Sequence, residues 1–391
     1  MHAVLRGSAA LLLVAAAAAQ EAPAPAPAAD APAGRALLPA DAGPAIAPHV
    51  AVGADGTVLA VYAAHDEIRC VISRDGGRSF APPERVGEAG WLAAGPTRGP
   101  RAAVTPDALV VLAVCGEAPG GADGNLLAWR SDDRGARWKG PVRVNDEAAS
   151  AREGLHAVAA APDGALLAVW LDQRGQGTEL RGDWSHDGGA TWGRDELLYA
   201  SPDGSICECC APAAAFDPST GHGLVLWRNT LGPARDMYLQ ALRDADQPLV
   251  GDPQMLGTEH WELSACPMAG GGAAVSSKGE LLTFWRRGTG LFTAAPGLGE
   301  VSVGEGREAA VAAGPDGFHL LWTDGQGGVL AGRAVYLGGM REARPLGRGL
   351  HVSAAGAVDG LGPVLAVWET GEGDATSLRY EVLSGRGPRS D

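Results

Sequence analysis

The sequence predicts an all-β chain of four-stranded blades folded as a β-propeller, and three observations predict it. Three segments share one pattern, Ser-x-Asp-x-Gly-x-(Ser/Thr)-aromatic: Ser73 to Phe80, Ser131 to Trp138 and Ser185 to Trp192, with Arg137 at the hydroxyl position of the second. Their aspartates, Asp75, Asp133 and Asp187, lie 58 and then 54 residues apart, a period of blade size. Between these segments a second repeat recurs: a strand of small residues, a turn often written Asp-Gly, and an apolar strand ending in an aromatic, as from Val50 through Asp55-Gly56 to Tyr62. The 58 glycines suit a chain that turns very often.

Each part of the first pattern has a mechanical role in a tight turn. Asp75, Asp133 and Asp187 accept backbone N–H groups, Gly77, Gly135 and Gly189 supply positive φ, and Phe80, Trp138 and Trp192 anchor the turn. The second repeat counts blades. Its apolar strands end at Tyr62, Cys115, Trp170, Trp227, Trp285, Trp322 and Trp368, which makes seven units, or six if the short unit around Trp322 is not a blade of its own. The period-2 alternation of these strands places the tryptophans between blades as core. The last unit offers only one clear further strand, Ser377 to Leu383, so residues 36–40 at the N-terminal side are expected to supply its outer strand and close the ring.

Outside the repeats the chain is simpler. Arg6, an apolar run from Ala9 to Ala19, and Ala17-Ala18-Ala19 before Gln20 follow the order of a secretory signal peptide, expected over residues 1–19. The run is too short to span a bilayer, and no later apolar stretch is long enough for a transmembrane segment. Residues 20–35 are mostly Ala and Pro and read as an extended linker. The propeller is expected over 36–385, followed by a polar tail at 386–391, in an exported protein that is periplasmic or secreted and monomeric.

A formal net charge of −15 argues against nucleic acid as a partner, since such binding rests on clustered Lys and Arg. Six cysteines in an exported chain make disulfides the default expectation. Cys70 and Cys115 stand where a bond between adjacent blades is feasible.

Residues just before the innermost strand of each blade gather at one mouth of a propeller's central channel, where ligands usually bind. By repeat alignment these are His49, Arg101, His156, the Cys207-Glu-Cys209-Cys210 segment, the Cys266-Pro-Met268 segment, Arg307-Glu308 and His351. Imidazole, thiolate and thioether together suit a soft or borderline metal, copper first and zinc second. The candidate ligands are His49, His156, Cys207, Cys209, Cys210, Cys266, Met268 and His351. The competing account pairs the four mouth cysteines as two disulfides stitching blade four to blade five. The remaining histidines, His65, His186, His222, His260 and His319, read as ordinary surface or turn residues.

The three Ser-x-Asp-x-Gly segments resemble the Asp-box, or BNR, repeat of the sialidase-like propellers. In that family the boxes sit at the outer blade edge, so the resemblance implies a structural role for Asp75, Asp133 and Asp187. Its enzymes hold a sugar carboxylate with an arginine triad and attack with a tyrosine activated by a glutamate. Where the family carries Arg-Ile-Pro near its first blade, this chain has Pro44-Ala-Ile-Ala-Pro-His49, without an arginine. Arg101, Arg228, Arg286 and Tyr380, the last beside Glu381, are the partial substitutes for ligand binding. Neighbouring strand residues point to opposite faces, so Tyr380 and Glu381 do not line one site in a regular strand. The stretches Leu226 to Tyr238, Ile206 to Pro212 and Ala265 to Gly271 look like an exported subgroup of these proteins with cysteine-bearing channel mouths.

The expectation for function is therefore an exported binding or accessory protein that takes a small ligand, a metal ion or a glycan at the channel. One alternative is a glycoside hydrolase acting on sialic acid or a related acidic sugar, and another is a scaffold for protein partners.

Overall fold

The structure is a computed structural model that describes residues 34–88, 90–243, 249–295, 297–335 and 339–385. The expected signal peptide at 1–19, nearly all of the expected linker at 20–35 and the expected polar tail at 386–391 lie outside these residues. Seven antiparallel sheets form seven four-stranded blades in a ring, and no α-helix occurs among the described residues. The first blade runs outward from the axis as Ile46–Val52, Val58–Ala64, Glu67–Ser73 and Glu84–Glu88. The unit around Trp322 is a full blade, from Arg307–Gly314 to Gly339–Arg348. Blade two carries an additional short strand, Trp91–Leu92, beside Leu109–Gly116.

The innermost strands are written in small residues because seven of them converge on one axis. Val50 to Val52, Ala102 to Val104, Val158 to Ala160, Ala214 to Phe216, Ala273 to Val275, Val311 to Ala313 and Ala354 to Gly356 together enclose a channel of about 190 Å³. The second strands carry the core. Val58–Ala64, Leu109–Gly116, Leu166–Asp172 and Val364–Thr370 are buried along almost their whole length. Trp170, Trp227, Trp285, Trp322 and Trp368 are all buried, as inter-blade packing requires.

The Ser-x-Asp-x-Gly turns link third to fourth strands. In the first, Gly77 N–H donates to Ser73 Oγ (2.9 Å), Ser73 Oγ–H to Asp75 Oδ1 (2.7 Å), and Ser79 donates its N–H (2.9 Å) and hydroxyl (2.6 Å) to the same carboxylate. Burial opposes ionisation of Asp75, but the Ser79 and Ser73 hydrogen bonds hold its carboxyl down at about 2. Gly77 has φ +84°, and a Cβ there would stand 2.6 Å from Leu365 of the last blade, so the turn is packed against the preceding blade and only glycine fits.

The last blade, Leu350–Gly356, Val364–Thr370 and Ser377–Ser384, receives its outermost strand from Arg35–Ala36, with Arg35 opposite Tyr380 and Ala36 opposite Arg379. The pairing lies nearer the N-terminus than the expected 36–40. Leu37 and Leu38 turn into the core and Pro39 has no N–H to give a ladder. Arg35, expected at the end of the linker, is therefore part of the ring closure.

Candidate functional site

Two long loops meet at one end of blades four and five. Residues 200–212 lead into the inner strand Ala213–Phe216, and residues 256–270 lead into Gly271–Val275. The first is tied down by Ile206 N–H to Thr178 O (3.0 Å) and Cys207 N–H to Arg228 O (3.1 Å). The backbones then come together so closely that a Cβ on Gly270 would lie 2.7 Å from Ala211 O.

This approach gathers all four mouth cysteines. Cys207 Sγ lies 3.5 Å from Cys210 Sγ and 3.7 Å from Cys209 Sγ, and Cys209 Sγ lies 4.0 Å from Cys210 Sγ. Cys209 is bonded to Cys266 as a disulfide, with Cα atoms 6.2 Å apart. The two-disulfide expectation is thus corrected to one bond beside two thiols, because Cys207 and Cys210 sit behind it, buried and unbonded. Cys70 and Cys115 are likewise separate buried thiols, pushed up to about 12 mainly by burial.

A buried cation backs the sulfurs. Arg228, 2% exposed at the end of the strand Gly223–Leu231, donates to Ala269 O (3.0 Å), Arg235 O (2.6 Å) and Arg286 O (2.8 Å). These partners are carbonyls. Asp236 takes His260 Nδ1 (2.6 Å) and Trp261 N–H (2.9 Å), which pins the second loop. The Trp261 ring faces both guanidinium groups, 4.9 Å from Arg228 and 5.7 Å from Arg286. Arg286 donates to Pro267 O (2.9 Å), and its buried Nε has no partner. The Cys207 thiol donates to Cys210, and this bond, aided against burial by Arg228 and by Ala269 N–H (3.3 Å), draws Cys210 down to about 7. The same bond, with burial, pushes Cys207 up.

The other candidate ligands are elsewhere. Among the described residues, Cys207, Cys209 and Cys210 form the sole group of three or more whose ligand atoms lie within 4.8 Å of one another. His49 Nδ1 accepts Ala102 N–H (3.1 Å), and burial, with Arg101 and His156 nearby, holds its imidazole well below the usual range. His156 is 1% exposed, reaches back to Leu112 O (3.2 Å), and falls to about 3 through burial and then Arg101. Arg101 donates to Thr97, Gly99 and Pro100 carbonyls and is lowered to about 10 by burial. His351 pairs with Glu369 (2.9 Å), which raises its pKa against burial.

These residues occupy two different register positions. His49, Arg101 and His156 lie two residues after a left-handed residue, Ala47 (φ 53°), Gly99 (φ 123°) and Gly154 (φ 73°) respectively. Met268 (φ 45°), Glu308 (φ 53°) and His351 (φ 52°) are themselves the left-handed residues. Met268 is 46% exposed. Tyr380 is 3% exposed on the third strand of the last blade, packed edge-on against Phe80 (5.0 Å) with Arg35 over its ring (4.9 Å). The residue that sequence reasoning missed is Trp261. Its place outside the strand-end repeat, between His260 and Glu262, was the available signal.

No family model matches this chain, and no curated protein does. Solved structures share the fold at low identity. A protein of unknown function from Dyadobacter fermentans aligns over 90% of this chain and 98% of its own, with a TM-score of 0.54 and 13% identity. The GH93 α-L-arabinofuranosidase of Fusarium graminearum aligns over 90% and 97%, with a TM-score of 0.51 and 12% identity. A Trypanosoma rangeli sialidase aligns over 89% of this chain and 56% of its own, with a TM-score of 0.46 and 14% identity. What the first two share with this chain is the fold.

Proposed function

We propose that this chain is an exported binding or accessory propeller, akin to the sialidase-like Asp-box group, whose working centre is the four-cysteine cluster between blades four and five, and that the cluster takes one thiophilic metal ion. One observation carries the reading. An ion bound tetrahedrally at about 2.3 Å from each sulfur sets the sulfurs about 3.8 Å apart, and the three separations here are 3.5, 3.7 and 4.0 Å.

With His49, His156 and His351 engaged elsewhere, the donor set is sulfur alone. That favours zinc, with cuprous copper second. A tetrathiolate complex of a divalent ion is anionic, and the buried Arg228 guanidinium beside Cys210 supplies compensating charge. The signal-like N-terminus and the disulfide support export. No helix among the described residues is long and apolar enough to cross a membrane.

The glycoside-hydrolase reading has the Fusarium likeness behind it, which extends to the fold. At the same end of the ring, Glu308 and Glu369 already accept bonds from His351 N–H, Thr323, Ala47 N–H and the His351 ring. Elemental analysis of protein supplied with zinc and copper tests the metal reading. About one zinc or copper per chain, lost in a Cys207→Ser, Cys210→Ser variant, supports it; metal-free protein under reducing conditions overturns it.

A further inference from the structure

The four sulfurs differ in access. Cys266 is exposed and Cys209 half-buried, whereas Cys207 and Cys210 are buried behind them. The cluster thus presents a disulfide to solvent and keeps two thiols in reserve. The bond also withdraws two of the four donors, since a sulfur engaged in a disulfide is no longer a thiolate ligand.

We propose that the Cys209–Cys266 bond is the lock of a redox-gated metal centre, opened by an external dithiol so that the two freed thiols join Cys207 and Cys210 in loading one zinc ion. This rests on the metal reading of the same cluster and adds its control. The dithiol's first thiolate attacks the exposed Cys266 Sγ, forming a mixed disulfide, and the Cys209 thiolate leaves. The dithiol's second thiolate then attacks its own mixed-disulfide sulfur and releases Cys266 as a thiolate. The dithiol is oxidised to a disulfide, and its two electrons and two protons pass to Cys209 and Cys266. On zinc binding the protons are released again from the ligating thiols.

Two features make Cys209 the sulfur that leaves. Attack follows access, which favours Cys266, and the departing Cys209 thiolate arrives 3.7 Å from Cys207 Sγ and 4.0 Å from Cys210 Sγ, where the other two ligands already stand. Opening the bond does not scatter the cluster. The two loops stay joined through Ala269 N–H to Cys210 Sγ (3.3 Å) and through Arg228, which donates to Ala269 O (3.0 Å) and whose carbonyl holds Cys207 N–H (3.1 Å). The reduced centre is preorganised, and the oxidised centre retains only half of a tetrahedral set.

The test compares the full chain in two states. The oxidised form should show four free thiols in denaturant, Cys70, Cys115, Cys207 and Cys210. Dithiothreitol treatment and its removal without air should raise the count to all six cysteines and add two hydrogens by intact mass. Zinc is then titrated into each form against a chromogenic chelator. The expected result is one zinc per reduced chain, bound at least about 100-fold more tightly than by the oxidised chain, since losing even an outer-shell partner costs about 10–100-fold and here two direct donors are withdrawn. Equal affinity in both forms overturns the gate and leaves the metal reading standing. A fully reduced chain that binds no zinc overturns the metal reading and the gate with it. Cys266→Ser, which cannot form the lock, should bind zinc with the same affinity before and after dithiothreitol; a persisting redox response in that variant also overturns the gate.

Discussion

The Arg228 guanidinium lies 4.9 Å from the centre of the Trp261 ring, donates to three carbonyl oxygens and stands beside the Cys210 sulfur. The arrangement buries a positive charge against carbonyls, an aromatic ring and sulfur, and Asp236 acts on it only at a distance. Arg228→Met should therefore cost more than a surface arginine would. Three carbonyls lose their donor, and we expect a loss of about 3–5 kcal/mol in urea unfolding. Trp261→Ala, which removes only the ring, should cost about 1–2 kcal/mol and leave the disulfide in place. If the two variants unfold alike, the carbonyl bonds are not what holds the loops together.

A second expectation concerns the turn that departs from its pattern. Asp133 accepts Ser131 Oγ–H (2.8 Å) and Arg137 N–H (2.8 Å), but Arg137 has no hydroxyl to give the bond that Ser79 and Thr191 make in the other two turns. Arg137→Thr should add that bond and raise the unfolding temperature slightly, by about 1–2 °C for a domain of this size. Gly77→Ala should do the opposite, since it meets both positive φ and the Leu365 side chain. Differential scanning calorimetry of the two variants checks both directions.

Glu369 Oε2 joins the last blade to the first, accepting from Ala47 N–H (3.1 Å) and from His351 Nδ1 (2.9 Å). The carboxylate raises the His351 pKa against burial, so this pair stabilises the fold at low pH and the contribution fades as pH rises through the raised value. Glu369→Gln should move the His351 titration downward, followed by NMR of the ring protons. An unchanged titration would mean that Glu308, the weaker neighbour, sets it.

Blade number was legible because it rests on local repetition. Each blade repeats an apolar strand that ends in an aromatic in six blades and in Cys115 in the second, and packing against the next blade imposes that pattern around the ring. The mouth was less legible for a geometric reason. A single left-handed residue near the start of an inner strand sets the register there, and beside Gly99 and Gly154 this residue is Ala47, Met268, Glu308 or His351, which carry no glycine signature. His351 therefore aligned with His49 in sequence but stands at the place of Ala47. The cysteine pairing was beyond reach because it depends on how two loops from different blades converge. Arg228 read as a ligand-facing residue, since burial of an arginine on backbone carbonyls of distant segments leaves no trace in its sequence neighbours. Tyr380 beside Glu381 suggested a nucleophile, yet the strand places its ring under Arg35 at the ring closure.

The pH response should be dominated in one window by Asp183, on the third strand of blade three. Its side chain is 1% exposed and its Oδ2 has no partner. Burial raises its pKa to about 7, with Asp195 and Asp146 adding to the rise and the Trp184 and Gly193 N–H groups opposing it. The unfolded value is near 4, so between about pH 4 and pH 7 the folded chain holds a proton that the unfolded chain has lost. The stabilisation is fully present below the unfolded value and is lost as pH rises through 7, a change on the order of 2–4 kcal/mol. Arg174 does not relieve it, being committed to Asp172 (2.8 Å) and Asp195. Asp183→Asn keeps the shape and removes the charge. Its urea stability should vary less over this window than that of the native chain and should exceed it above pH 7. A variant that keeps the native slope would assign the response to other groups, His351 first among them, since its raised pKa acts in the same direction.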